Sequence, residues 1–144
     1  MNKSLIVKLI SYCFILLFLY AVANKLIDYQ KFTVQIGQSP ILTGYAGIIA
    51  WLVPTIEIII SLMLLFDATR VTGLYASFSL MTMFTAYIIV ILNFAERVPC
   101  SCGGILEKMG WREHLVFNIA FVLLAVTAIV VQSKHNLQDR LNPI

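Results

Sequence analysis

The chain has 144 residues, 60% of them hydrophobic and only 12% charged, with a formal net charge of +3 and a mean hydropathy of +0.92. A soluble domain of this size has no interior large enough for so much apolar surface, so a lipid bilayer is the expected solvent and one domain the expected count. The few cations form no basic run or aromatic–basic stripe, which argues against nucleic acid as a partner. Three cysteines are too few for a disulfide-stapled scaffold, and their spacing matches no zinc-finger pattern.

In chain order, four apolar runs are each long enough to cross about 30 Å of hydrocarbon as a helix. They cover about residues 5–27, 44–66, 71–94 and 114–132. Lipid offers no partner to an open strand edge, so the expected fold class is all-α, a polytopic membrane protein with a four-transmembrane-helix bundle. Lys3 and Lys8 precede an apolar stretch ending in Ala21-Val22-Ala23, which imitates a cleavable signal; Lys25 and Asp28 provide an interfacial end for a retained helix, and retention is the reading adopted.

The connections differ in kind. The first, about residues 28–43, carries Gly37, Ser39 and Pro40 and reads as an exposed loop. Asp67 to Arg70 is a minimal turn, so the second and third helices should form an antiparallel hairpin. The third connection, Ala95 to Glu113, contains Pro99-Cys100-Ser101-Cys102-Gly103-Gly104. Ile105, Leu106, Met109 and Trp111 follow at a spacing that suits a short amphipathic segment before helix four, with Trp111 at headgroup depth. The polar tail 133–144 reads as frayed.

Four crossings put both termini on one side. That side carries Lys3, Lys8, Arg70, Lys134 and Arg140, and the other Lys25, Lys31, Arg97, Lys108 and Arg112. The balance leaves the positive-inside rule without a preference. The charged N-terminus favours cytoplasmic termini, which places the Cys-Ser-Cys connection outside.

Cys100 and Cys102 are the chief candidates for chemistry. A dithiol at the bilayer edge can cycle between thiols and a disulfide or hold a soft metal such as copper(I). Arg97, Lys108 and Arg112 are near in sequence and favour the attacking thiolate. Gly103 and Gly104 permit the tight backbone of a small ring, and such a strained bridge suits exchange rather than stapling. Cys13, in the first helix, reads as a buried small hydrophobe.

Glu57 falls near the middle of the second helix, three residues after Pro54, and should face the bundle interior because a carboxylate in lipid is costly. It can contact a quinone headgroup, relay protons, pair with Lys25 or Asn24, or make a structural hydrogen bond; these readings stay open. Lys25 with Asp28 reads as an interfacial anchor. His114 and Asn118 share one face at the start of the fourth helix, where His114 is a candidate base or a simple helix-end residue. Met63, Met81 and Met83 read as packing or lipid-facing residues.

Tyr20-Ala21-Val22-Ala23-Asn24-Lys25-Leu26 and Val53-Pro54-Thr55-Ile56-Glu57 resemble DoxX-like membrane proteins. The Pro99-Cys100-Ser101-Cys102-Gly103-Gly104 segment, with Trp111 to His114 and Asn118 after it, looks like the MauE branch of that superfamily. The resemblance spans nearly the whole chain. It implies a four-helix bundle in the bacterial inner membrane with the dithiol on the periplasmic face. The name-giving member is associated with maturation of the disulfide-rich methylamine dehydrogenase subunit. Related branches are linked to thiosulfate–quinone chemistry. Quinone-coupled four-helix thiol oxidoreductases are a looser analogy, using Cys-Xaa-Xaa-Cys where this chain has Cys-Ser-Cys.

Two functions are therefore expected. One is a thiol–disulfide redox protein, a candidate oxidoreductase, exchanging electrons with a periplasmic thioredoxin-fold or disulfide-containing partner, with quinone as the candidate second carrier. The other is a non-catalytic membrane subunit or assembly factor whose dithiol binds copper(I).

Overall fold

The computed structural model describes residues 2–39, 41–94 and 110–142. Its elements in chain order are α1 (Lys3–Ile27), α2 (Tyr29–Gly37), a 3-10 turn (Thr43–Tyr45), α3 (Ala46–Leu65), α4 (Arg70–Phe94) and α5 (Trp111–Leu141). There is no strand among the described residues. Among the described residues, four helices are long and apolar enough to cross a membrane, α1, α4, α5 and α3 with its preceding 3-10 turn, so the chain is a multi-pass membrane protein. Ser and Thr hydroxyls along these helices donate to the carbonyl four residues back, as Ser11 does to Val7 at 2.8 Å and Ser77 to Gly73 at 2.8 Å. This local bond lets a hydroxyl lie where no water is available.

The four long helices form a ring in which α1 touches α3 and α5, and α4 touches the same two. This is an up-down-up-down bundle, the arrangement that short connections favour. Val7, Ile10, Phe14 and Phe18 recur on one face of α1 and meet Leu64, Leu74, Met81 and Ala125 from the other three helices. Phe14 lies edge-on to Phe121 of α5, with ring centres 5.2 Å apart, a geometry aromatic pairs prefer over face-to-face stacking. Leu64 and Leu74 are fully buried, whereas Leu16, Ile48 and Val116 are largely exposed on the lipid side. Met81 is buried and Met83 exposed.

The α3–α4 turn is closed by its own polar groups. Arg70 pairs with Asp67 and donates from Nε to the carbonyl of Leu64 at 3.2 Å, while the Thr69 hydroxyl donates to the carbonyl of Met63 at 2.8 Å. The last carbonyls of α3, which have no intrahelical donor, are thus partly satisfied. The hairpin is close enough to need a glycine. A Cβ on Gly73 would lie 3.1 Å from both the backbone nitrogen and Cδ2 of Leu64.

Four expectations change. The first connection is not simply a loop, because α2 buries Phe32 and Ile36 against Ala50 of α3. Asp28 starts this helix, its side chain accepting from the Lys31 amide at 3.4 Å, a standard N-cap role. The tail does not fray at Ser133, since α5 continues to Leu141 with a Gln132–Asn136 hydrogen bond and a His135–Asp139 contact. The fourth helix begins at Trp111, so this residue belongs to its first turn. Cys13 is exposed on the outer face of α1 rather than buried. The expected amphipathic segment upstream of Gly110 lies outside the described residues.

Candidate functional site

Four polar side chains from three helices gather inside the bundle. Glu57 of α3 is 1% exposed, Lys25 of α1 is 9% exposed, and Asn118 of α5 is 3% exposed. The Lys25 ammonium donates to Oε1 of Glu57 at 2.6 Å. His114, half-buried one turn before Asn118, is near enough to Lys25 to feel its charge. The Lys25 ammonium also lies 5.6 Å from the ring centre of Phe32 on α2 and 5.7 Å from that of Phe84 on α4. A cation held against aromatic faces recovers part of the hydration it has lost.

Local sequence accounts for each position. Lys25 stands three residues after Val22 and seven after Phe18 on the buried stripe of α1, so the register that buries those residues also buries Lys25. Glu57 shares its face with Pro54, Ile60, Ser61 and Leu64 in α3. Pro54 cannot donate to the carbonyl four residues back, yet the helix continues through it from Ala46 to Leu65. His114 and Asn118, four residues apart, turn the same face of α5 inward. Trp111 adds to this face, its ring centre 6.3 Å from that of His114.

The interfacial-anchor reading of Lys25 therefore fails. Lys25 pairs across 32 residues with Glu57, not with Asp28. Asn24, the other partner considered for Glu57, donates instead to the carbonyl of Tyr20 at 2.9 Å. The reason is register: on α1, Lys25 falls on the buried stripe, whereas Asp28 ends the helix and caps α2.

The cluster remains chemically open. Oε2 of Glu57, Nδ1 of His114 and Nδ2 of Asn118 are buried and have no hydrogen-bond partner among the described residues. Such atoms are costly to leave unmade, by about 1–3 kcal/mol each. They comprise a carboxylate acceptor, an amide donor and a ring nitrogen able to play either role. Together they suit a small group that both accepts and donates a hydrogen bond.

The remaining candidates divide into two groups. Arg112 is exposed in the first turn of α5. Cys100, Cys102, Arg97 and Lys108 lie outside the described residues. The connection that carries them leaves the end of α4 and returns at the start of α5, the end of the bundle toward which Lys25 and His114 lie. No metal-binding group of His, Cys, Asp and Glu occurs among the described residues. Sequence reasoning missed α2 and its Phe32, although Tyr29, Phe32 and Ile36 recur at helical spacing and signal an amphipathic face.

No curated protein and no solved structure matches the chain significantly. A family model described as methylamine utilisation protein MauE matches residues 3–131, from the first turn of α1 to the end of the apolar part of α5. With that match covering most of its length, the chain belongs to the MauE family of membrane proteins.

Proposed function

We propose that this protein is a thiol–disulfide redox protein of the bacterial inner membrane, using Cys100 and Cys102 to exchange electrons with a periplasmic thioredoxin-fold or disulfide-containing partner. In this reading the termini are cytoplasmic and the Cys-Ser-Cys connection is periplasmic. The observation that carries it is the buried Lys25–Glu57 pair inside the bundle, with unpartnered polar atoms on α3 and α5, below the end where the cysteine-bearing connection attaches. Intramembrane ionisable groups are costly and mark functional pathways more often than simple packing.

The exchange proceeds in two displacements. A thiolate of one cysteine attacks the partner's disulfide, forming a mixed disulfide and releasing one partner sulfur as a thiolate. The second cysteine, deprotonated, then attacks the mixed disulfide and releases the other partner sulfur. The net change is dithiol plus disulfide to disulfide plus dithiol, and the reverse follows the same steps. Arg97 and Arg112 support the thiolate electrostatically, and His114 accepts a thiol proton.

The polar cluster suits a quinone headgroup as the second carrier. Asn118 Nδ2 can donate to a carbonyl, Glu57 Oε2 can accept from a hydroxyl, and Phe32 and Phe84 provide aromatic surface. In the direction in which the partner's dithiol reduces the Cys100–Cys102 disulfide, a quinone bound there would take the two electrons and two protons that reoxidise the cysteines; in the opposite direction a quinol would supply them. Lys25 holds Glu57 in place through its other oxygen.

The test is thiol trapping in intact cells with a membrane-impermeant maleimide, before and after reductant, together with Cys100→Ser and Cys102→Ser. Labelling that appears only after reduction, and loss of exchange in each single variant, is the expected result. Full exchange in both variants overturns the proposal. Stoichiometric copper lost in Cys102→Ser would point instead to a metal-binding assembly factor.

A further inference from the structure

The opposite end of the bundle holds a second feature, unrelated to the cysteines. α5 has 31 residues and is about 46 Å long at roughly 1.5 Å per residue. The hydrocarbon core is only about 30 Å thick. With Trp111 at one interface, its apolar part ends near Val131, where the sequence turns to Gln132-Ser133-Lys134. At this level a cavity of about 270 Å³ opens between α5 and the start of α4. Val71, Tyr75 and Ile129 line its apolar part, and Gln132, Asn136 and Arg140 its polar part.

The charges around this cavity are unequal. The termini end of the bundle carries Lys3, Lys8, Arg70, Lys134 and Arg140 against Asp67 and Asp139. Asp67 is taken by Arg70, and Asp139 faces His135 at 3.0 Å. Arg140 has no ion pair or side-chain hydrogen bond among the described residues. A groove that is apolar on its membrane side and cationic on its water side complements an amphiphile with a negative head.

We propose that the α4–α5 cavity binds an anionic glycerophospholipid, with one acyl chain against Val71, Tyr75 and Ile129 and the phosphate held by Arg140. Arg140 is the charge that selects for the headgroup, and Gln132 and Asn136 supply hydrogen bonds to its oxygens. A guanidinium suits this role because its planar array of donors matches a phosphate. The site is independent of the thiol chemistry proposed above.

Native mass spectrometry of the delipidated full chain, titrated with phosphatidylglycerol and with phosphatidylcholine, tests it. Phosphatidylglycerol should be retained about fivefold better, the ratio expected from one cation near an anionic headgroup. Arg140→Gln should remove that preference, whereas Lys134→Gln, one residue from the cavity wall, should keep it. Ser133→Trp, which fills the cavity without changing charge, should lower retention of both lipids. Equal retention of the two lipids by the unaltered chain overturns the proposal. So does an equal effect of Arg140→Gln and Lys134→Gln, or unchanged binding in Ser133→Trp.

Discussion

One ion pair closes a turn at an end of the bundle and another lies inside it, and the two pairs do different work. Arg70 and Asp67 close the α3–α4 turn, with Asp67 exposed and Arg70 also serving backbone carbonyls. Lys25 and Glu57 are both buried, join α1 to α3, and leave one carboxylate oxygen without a partner among the described residues. The first pair completes a local structure. The second holds two helices together while leaving hydrogen-bonding capacity unused. A group that served packing alone would gain nothing from that unused capacity.

Breaking the pairs sharpens the contrast. The largest loss is expected at the buried pair. Glu57→Leu or Lys25→Met alone leaves an uncompensated charge and should destabilise the protein by about 3–5 kcal/mol. The double variant should recover most of that stability, because two apolar side chains of similar size carry no stranded charge. Denaturation in detergent, compared across the four proteins of the cycle, reads this coupling. Additive losses would show that the two residues do not depend on each other.

A smaller loss is expected at the turn. Gly73→Ala introduces a Cβ about 3.1 Å from the Leu64 backbone nitrogen. It should cost about 1–3 kcal/mol through overpacking of the α3–α4 hairpin. Thermal unfolding measures it, and an unchanged midpoint would mean that the hairpin relaxes freely. Asp67→Asn should cost less than about 1 kcal/mol, because its carboxylate is exposed and screened.

One variant separates stability from function within the cluster. Asn118→Leu removes a buried amide nitrogen that has no partner among the described residues. Folding stability should hold or rise, since no hydrogen bond from that nitrogen is lost. Thiol–disulfide exchange coupled to quinone should fall if Asn118 contacts the second carrier. Equal activity with unchanged stability would remove Asn118 from the site.

The candidate site was legible in the sequence in parts. Glu57 announced itself, because a carboxylate in the middle of an apolar run has few tolerable positions other than the interior. His114 and Asn118 share a face by spacing alone. The pairing of Glu57 with Lys25 stood among several open readings, because Asp28, three residues on, offered Lys25 a local partner and Asn24 was an equal candidate for Glu57; only the rotation of α1 about its axis selects Lys25. Phe32 was missed because Gly37, Ser39 and Pro40 drew attention to the connection as a loop, although α2 occupies most of it.

The sequence by itself determined that four helices cross the bilayer, that α3 and α4 form a hairpin, and that Glu57 points inward. Each follows from short-range pattern: run length, a four-residue connection, and the cost of charge in lipid. Only the tertiary structure decided that Lys25 is the partner of Glu57, that Phe32 of α2 and Phe84 of α4 flank the ammonium, and that α5 leaves a cavity against α4. Those relations depend on how four helices rotate about their axes, and that rotation is set by the packing of all the buried faces together.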